Sequence, residues 1–216
     1  MAPLQIFKRD LFGQVELHKD PAGQRFIRRS LDGVRWWVRP VARWLAGREA
    51  RALAALNGLG GTPRMLGWNG RHLDRSWIEG QPMQQARPTS AAYFASAAAL
   101  LRQMHRAGVA HNDLAKEPNW LVTPAGGAAV IDFQLAACLP GRGALFRTLA
   151  REDLRHLLKH KRTYRRDFLT ARERRMLATP AWPSRVWMAT VKPVYTFVTR
   201  RLMGWADREG AGDRRF

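Results

Sequence analysis

The sequence predicts an α+β chain of two lobes, a small β-rich N-terminal lobe and a mainly helical C-terminal lobe. Three observations carry that expectation. Residues 5–39 alternate apolar and polar positions between turn residues, the period of strands. From about residue 144 onward, apolar residues recur every three or four positions, the period of helices. Between them "WIEGQPM" (77–83) runs out of a strand-like segment through Glu79-Gly80, as a linker would. The expected division is 1–80 for the first lobe, 81–206 for the second, and 207–216 as a flexible tail.

The elements follow in order. "QIFKRDLFGQVELHK" alternates around Gly13, "QRFIRRS" is rich in strand formers, and Asp32-Gly33 is a turn before the strand-like "VRWWV". Residues 41–57 place Leu45, Ala52, Leu53 and Leu56 at helical spacing, and "NGLGGTP" breaks that helix. "RHLDRSWIEGQPM" is the strand that runs into the linker. A long helix follows, capped by Thr89 or Ser90, with Tyr93, Ala97, Leu100, Leu101 and Met104 on one face and Gly108 as its stop. "NWLVTPAGGAAVID" has the pattern of a hairpin. "REDLRHLLKHKR" is a basic amphipathic helix, and "TARE" (170–173) is a capping box. After Pro183, the residues Trp187, Val191, Val194 and Val198 form another apolar stripe, interrupted by Pro193.

Composition narrows the class. In 216 residues, 46% apolar with nine Trp, there is material for a packed core. No run of about 18 apolar residues occurs, so no membrane-spanning helix is expected. "MAPLQIFKRD" carries charges where a signal peptide needs its apolar region, which predicts a cytoplasmic chain. The single cysteine, Cys138, has no internal partner and suits a reducing compartment. The net charge of +20 suits an anionic partner: nucleotide, RNA or an acidic membrane surface. It is equally what a GC-rich genome produces, since only six of the 37 basic residues are Lys. The segment "PSRVWMATVKPVYTFVTRRLMGW" mixes Trp, Tyr and Phe with Arg, the pattern either of a lobe core or of an interfacial helix peripheral to the inner membrane.

Three polar groups converge. A hairpin turn centred between Ala125 and Gly126 sets Asn119 opposite Asp132, with Asp113 on the loop that feeds the first strand. Two carboxylates and an amide at one rim suit Mg²⁺, which takes a few protein oxygens and leaves the rest to water and phosphate. A separate carboxylate there can accept a hydroxyl proton. Glu49 lies four after Leu45 and four before Leu53, on the apolar side of its helix. It either pairs with a cation or sits at the stripe's edge and reaches water. Arg28, Arg29, Arg39 and Lys8 are the candidate partners.

"HNDLAKEPNWLV" (111–122) followed by "AVIDFQLA" (129–136) resembles the catalytic and metal-binding loops of the protein-kinase-like superfamily. "REARALAAL" resembles its first helix, with Glu49 in the ion-pair position. The match is closer to atypical bacterial members: Rio-type kinases, lipopolysaccharide core kinases and aminoglycoside phosphotransferases. It covers roughly residues 5–165.

The resemblance implies a two-lobed protein-kinase-like fold and transfer of the γ-phosphate of ATP, with Mg²⁺, to a hydroxyl of a protein Ser/Thr or a lipopolysaccharide core sugar. It makes Asp113 the catalytic base, Asn119 and Asp132 the metal ligands, and His111 a structural residue of the loop. Lys116 would reach the transferred phosphate. The backbone around Glu79 would meet adenine, and Gly13 would be the remnant of the glycine-rich loop. Arg28 is the best substitute for the missing strand lysine, though it keeps the charge without the shape. Asn119 follows Asp113 by six positions where the superfamily has five, so the loop must bulge. Gln134 stands where ordinary members have glycine, and no "APE"-like platform for peptides follows. These departures keep open a non-catalytic pseudokinase or a basic module that binds RNA or an anionic surface.

Two patterns are set aside. "GLGG" lacks the Lys-Ser/Thr of a phosphate loop. His156 and His160 lie one helical turn apart with neither a catalytic Glu between them nor a third ligand, so a basic helix face is expected, not zinc.

Overall fold

The structure, a computed structural model, describes residues 3–139 and 141–179. The apolar stripe at Trp187–Val198 and the tail at 207–216 lie outside the described residues.

Strands β1 (Gln5–Asp10), β2 (Gly13–Lys19) and β3 (Arg25–Ser30) are followed by helix α1 (Arg39–Leu56), then by β4 (Met65–Trp68) and β5 (His72–Ser76). They form one antiparallel sheet in the order β1-β2-β3-β5-β4. Residues 34–38 are not a strand, although valine and tryptophan favour one. They form a helical turn in which Val38 and Arg39 donate to the Arg35 carbonyl, and only Val34 and Val38 are buried. Tertiary packing overrides the β propensity there.

The second lobe begins with β6 (Gln81–Pro82) and the single turn α2 (Met83–Ala86). Helix α3 (Ala91–Arg106) starts where the Ser90 hydroxyl accepts from the Ala92 amide, the cap that satisfies an otherwise unpaired donor. Then come β7 (Val109–Ala110), β8 (Trp120–Val122), β9 (Ala128–Val130) and β10 (Ala137–Cys138). Helices α4 (Ala144–Tyr164) and α5 (Ala171–Ala178) complete the described chain. At α5 both halves of the capping box form, Thr170 with Glu173.

The α+β, two-lobed expectation is met. The larger core joins Tyr93, Leu101 and Met104 of α3 to Trp120, Phe133 and Leu157, and α1 inserts Ala52, Leu53 and Leu56 into it. The first half of α1 belongs to a separate cluster of Leu31, Val34, Val38, Ala42 and Ala46. One helix thus packs into both lobes. Arg48 adds a polar tie, its guanidinium donating to the carbonyls of Leu135 at 3.0 Å and Ala136 at 2.9 Å. Among the described residues no helix is long and apolar enough to cross a membrane.

Candidate active site

The loop after β7 is held from beneath by α4. Asp153, fully buried, accepts the backbone amides of His111 at 2.7 Å and Asn112 at 2.9 Å, and also meets His105 Nε2 at 3.1 Å. Asn112 turns through a left-handed conformation (φ 64°), which Asn tolerates better than most residues. Charge-assisted bonds to two successive amides fix where the next residue, Asp113, emerges. The sequence reading missed Asp153. The signal was present: it lies seven after Phe146 and four before Leu157, on the apolar side of its helix.

His111 has the structural position the resemblance implied. Its ring packs on Phe133, centroids 4.6 Å apart. Asp113 N donates to its Nδ1 at 3.3 Å, so the tautomer with hydrogen on Nε2 donates to the Ile131 carbonyl at 3.0 Å. The ring therefore ties the start of the loop to the strand end that carries Asp132.

The loop then closes on itself. Asn119 Nδ2 donates to the Asp113 carbonyl at 2.9 Å and to its Oδ2 at 3.1 Å, and Lys116 Nζ lies 3.1 Å from the same Oδ2. The additional residue between Asp113 and Asn119 is absorbed by a 3₁₀ turn at Glu117–Asn119. That turn is anchored by Tyr164, whose hydroxyl donates to Glu117 Oε2 at 2.7 Å. Trp120 Nε1 and His160 Nε2 both bond the Leu114 carbonyl, at 3.2 and 2.8 Å. His160 is thus a loop anchor, and no metal-ligating cluster of His, Cys, Asp and Glu occurs among the described residues. Burial pushes the Asp113 carboxyl above its usual range, against the pull of Lys116.

The hairpin register differs from expectation by one residue. Trp120 pairs with Val130, Leu121 with Ala129 and Val122 with Ala128, so the turn is centred on Ala125. The loop has three residues and a left-handed Gly126 (φ 78°), not two, and Asn119 therefore faces Ile131, whose amide donates to its carbonyl at 3.0 Å. A one-residue slip would turn Asp132 away. Its own backbone corrects this: Asp132 is left-handed (φ 68°), which bends the chain at the end of the apolar run.

Asp132 Oδ1 is buried and has no hydrogen-bond partner. Burial alone would push its carboxyl up, but the charges of Arg29 and Arg75, with Lys116 adding to them, hold it below the usual range. An ionised, buried, unpartnered oxygen is a fit donor for a hard cation. Asn119 has its amide nitrogen committed to Asp113, which leaves its Oδ1 as the second oxygen.

Glu49, with none of its surface exposed, is paired and does not reach water. Its partners are two. Arg75 Nη1 from β5 bonds Oε1, and Arg29 Nε from β3 lies 3.5 Å from Oε2. Arg28 is not among them, which corrects the sequence reading. Neighbours on a strand face opposite ways. Ile27 and Arg29 point inward, while Arg28 forms a bidentate pair with Asp74 at 2.8 and 2.7 Å. Burial lowers both inner guanidiniums, Arg75 to about 10, and both arginines also act on Asp132. Arg39 and Lys8, the other candidates, bond Val34 and Asp10.

Gly13 opens β2 behind a tight turn in which Asp10 Oδ1 accepts from Phe12 N at 2.8 Å. A Cβ at Gly13 would stand 2.3 Å from the Ser30 carbonyl oxygen, and its φ is 129°, so only glycine fits. Glu79 directs its side chain outward to Arg25 at 3.4 Å. The side chains of Asp113, Lys116 and Asn119 are thus bonded together, and Asp132 acts electrostatically on Asp113 and Lys116 as well as on Arg29 and Arg75, the partners of Glu49. Gly13 and Glu79 contribute no side-chain contact to these residues.

No protein-family model matches the chain, and no curated protein matches it. Solved structures do. The Rio2 kinase of Chaetomium thermophilum in its ADP/Mg²⁺-phosphoaspartate complex is similar with a TM-score of 0.58 at 16% identity, over 78% of this chain and 57% of that one. A second structure of Rio2 kinase from the same organism gives a TM-score of 0.59 at 17% identity, over 78% of this chain and 60% of that one. The chain spans less than two thirds of the length of those kinases. At this identity the likeness establishes a protein-kinase-like fold.

Proposed function

We propose that this chain of protein-kinase-like fold is an ATP- and Mg²⁺-dependent phosphotransferase acting on a hydroxyl group. The observation that carries the reading is the buried, unpartnered Oδ1 of Asp132 beside the bonded pair Asp113–Asn119. Asn119 and Asp132 would hold Mg²⁺, which when bound neutralises phosphate charge and orients the group to be transferred. Asp113 accepts the acceptor's hydroxyl proton. Its Oδ2 is already bonded to Asn119 and faces Lys116, which leaves Oδ1 for that proton. Lys116 stands where it can meet developing phosphate charge.

Arg29, whose Nε lies 3.5 Å from Glu49 Oε2 without a hydrogen bond, takes the place assigned from sequence to Arg28 and would meet the phosphates. Arg75 makes the direct hydrogen bond to Glu49, and Arg29 stands at 3.5 Å from the other carboxylate oxygen. Gly13 would let the β1–β2 turn approach the nucleotide, and the backbone around Glu79 would meet adenine. The ADP and Mg²⁺ named for the Rio2 complex support the choice of nucleotide and cation. The acceptor is a protein Ser/Thr or a lipopolysaccharide core sugar, and the reaction is placed in the cytoplasm, at or near the inner membrane.

One observation favours a second reading, a pseudokinase or basic binding module: two arginines stand where a single lysine would serve phosphate alignment. Thermal unfolding with ATP and Mg²⁺ separates the two, because a ligand bound to the folded state raises its apparent stability. The phosphotransferase reading expects a Mg²⁺-dependent rise that Asp132→Asn removes. No rise at saturating nucleotide would favour the module.

A further inference from the structure

Helix α1 presents an apolar face to solvent as well as to the core. Trp37, on the helical turn that leads into it, and Val41 and Trp44 recur at helical spacing on the side opposite Ala42, Ala46, Glu49 and Leu53. They are 53%, 49% and 54% exposed, and the adjacent Trp36 is 81% exposed. Isolated surface apolar residues are unremarkable, but three indoles and a valine along one stripe are not. Arg48 extends the stripe toward the second lobe. It lies over the Trp44 ring at 4.7 Å and bonds the backbone of Leu135, itself 42% exposed.

The exposed charges of the stripe's own segment have one sign. Residues 33–57 contain Arg35, Arg39, Arg43, Arg48 and Arg51, and their only acid is Glu49, which is buried against Arg75. Tryptophan beside arginine is the chemistry of a lipid headgroup boundary, where indole takes an interfacial position and guanidinium meets phosphate.

We propose that the outward face of α1, with Trp36, Trp37, Val41 and Trp44 inserted and the flanking arginines on headgroup phosphates, docks this chain on an anionic bilayer surface. Charge selects that occupant. Residues 180–216 carry seven basic and three acidic side chains, and a second copy carries +20, so both are repelled by the arginines. A nucleic acid has the complementary charge, but its bases would stack on indoles and leave Val41 and Leu135 unburied. Docking by this face does not depend on phosphotransfer.

The test is flotation of the full chain with vesicles of pure phosphatidylcholine and with an equal mixture of phosphatidylcholine and phosphatidylglycerol. The expected result is binding to the anionic vesicles only, weakened about tenfold or more in Trp36→Ser/Trp37→Ser/Val41→Ser. That variant is expected to keep the wild-type unfolding temperature, because the three side chains are exposed. Trp182→Ser/Trp187→Ser, in the C-terminal segment, is the comparison and is expected to float as wild type does. No flotation of wild type, or equal flotation of the α1 variant, overturns the proposal. A drop in unfolding temperature without flotation of wild type would mean that the stripe is covered by the chain itself, and also overturns it. So would loss of poly-uridine binding in the α1 variant with flotation unchanged, which would assign the face to RNA.

Discussion

Asn119 holds Asp113 at two points, the backbone carbonyl at 2.9 Å and Oδ2 at 3.1 Å. One amide thereby fixes both the position of the carboxylate and which of its oxygens is already used. Lys116 approaches that same Oδ2, so the electrostatics of the proposed base depend on a side chain three residues away.

Activity should therefore respond to Lys116 through pH. Asp113 must be ionised to accept a proton, so the rate falls as pH drops through its pKa. Burial raises that pKa and Lys116 lowers it. Lys116→Met is expected to move the acid limb of the kcat/KM profile to higher pH, and Lys116→Arg to leave it near the wild-type position. A limb that stays in place with Met would remove Lys116 from contact with the base.

The ion pair beneath the sheet gives a contrast in stability. Arg75→Met leaves Glu49 buried with only the more distant Arg29, and truncating one partner of a buried pair costs about 3 kcal/mol or more. Arg28→Ala breaks a partly exposed pair with Asp74, where about 1 kcal/mol or less is expected. Urea unfolding measures both. Equal losses would contradict the division between an inward Arg29–Arg75 face and an outward Arg28.

Acid stability should depend on His156. Burial, helped by Lys159, holds its pKa at about 4 against an ordinary 6.5, and its Nδ1 is buried without a partner. The unfolded chain therefore takes up the proton first as pH falls. The stability held above about pH 6.5 is lost progressively down to about pH 4, on the order of 2–3 kcal/mol. His156→Leu is expected to unfold in urea with a shallower pH dependence over that interval. An unchanged slope would show that His156 does not contribute.

The elements with local signals were legible in the sequence. Ser90 and Thr170 cap helices by side chains that any reader can place, and Gly126 and Gly127 mark the hairpin turn. What escaped was parity. Choosing Arg28 over Arg29 is an error of one residue on a strand, and so is setting Asn119 opposite Asp132 in place of Ile131. Side-chain direction alternates at every step, so a single miscount inverts a face. The third residue of the hairpin loop and the left-handed turn at Asp132 are backbone features with no strong sequence marker. Arg75 escaped because it was sought on the wrong strand: β5 lies beside β3 in the sheet but 46 positions on in sequence, as the Arg28–Asp74 pair shows. Asp153 was hidden by its basic neighbours, though the reasoning that singled out Glu49 applies to it unchanged.

Asp113 is proposed as the base in a phosphoryl transfer supported by Asn119 and Asp132. The direct measurement is transfer of label from γ-labelled ATP with Mg²⁺ to cell-envelope and ribosomal fractions, comparing wild type with Asp113→Asn. The expected rate is about 10²- to 10⁴-fold lower in the variant, with nucleotide binding retained. Equal labelling by the two proteins would contradict it.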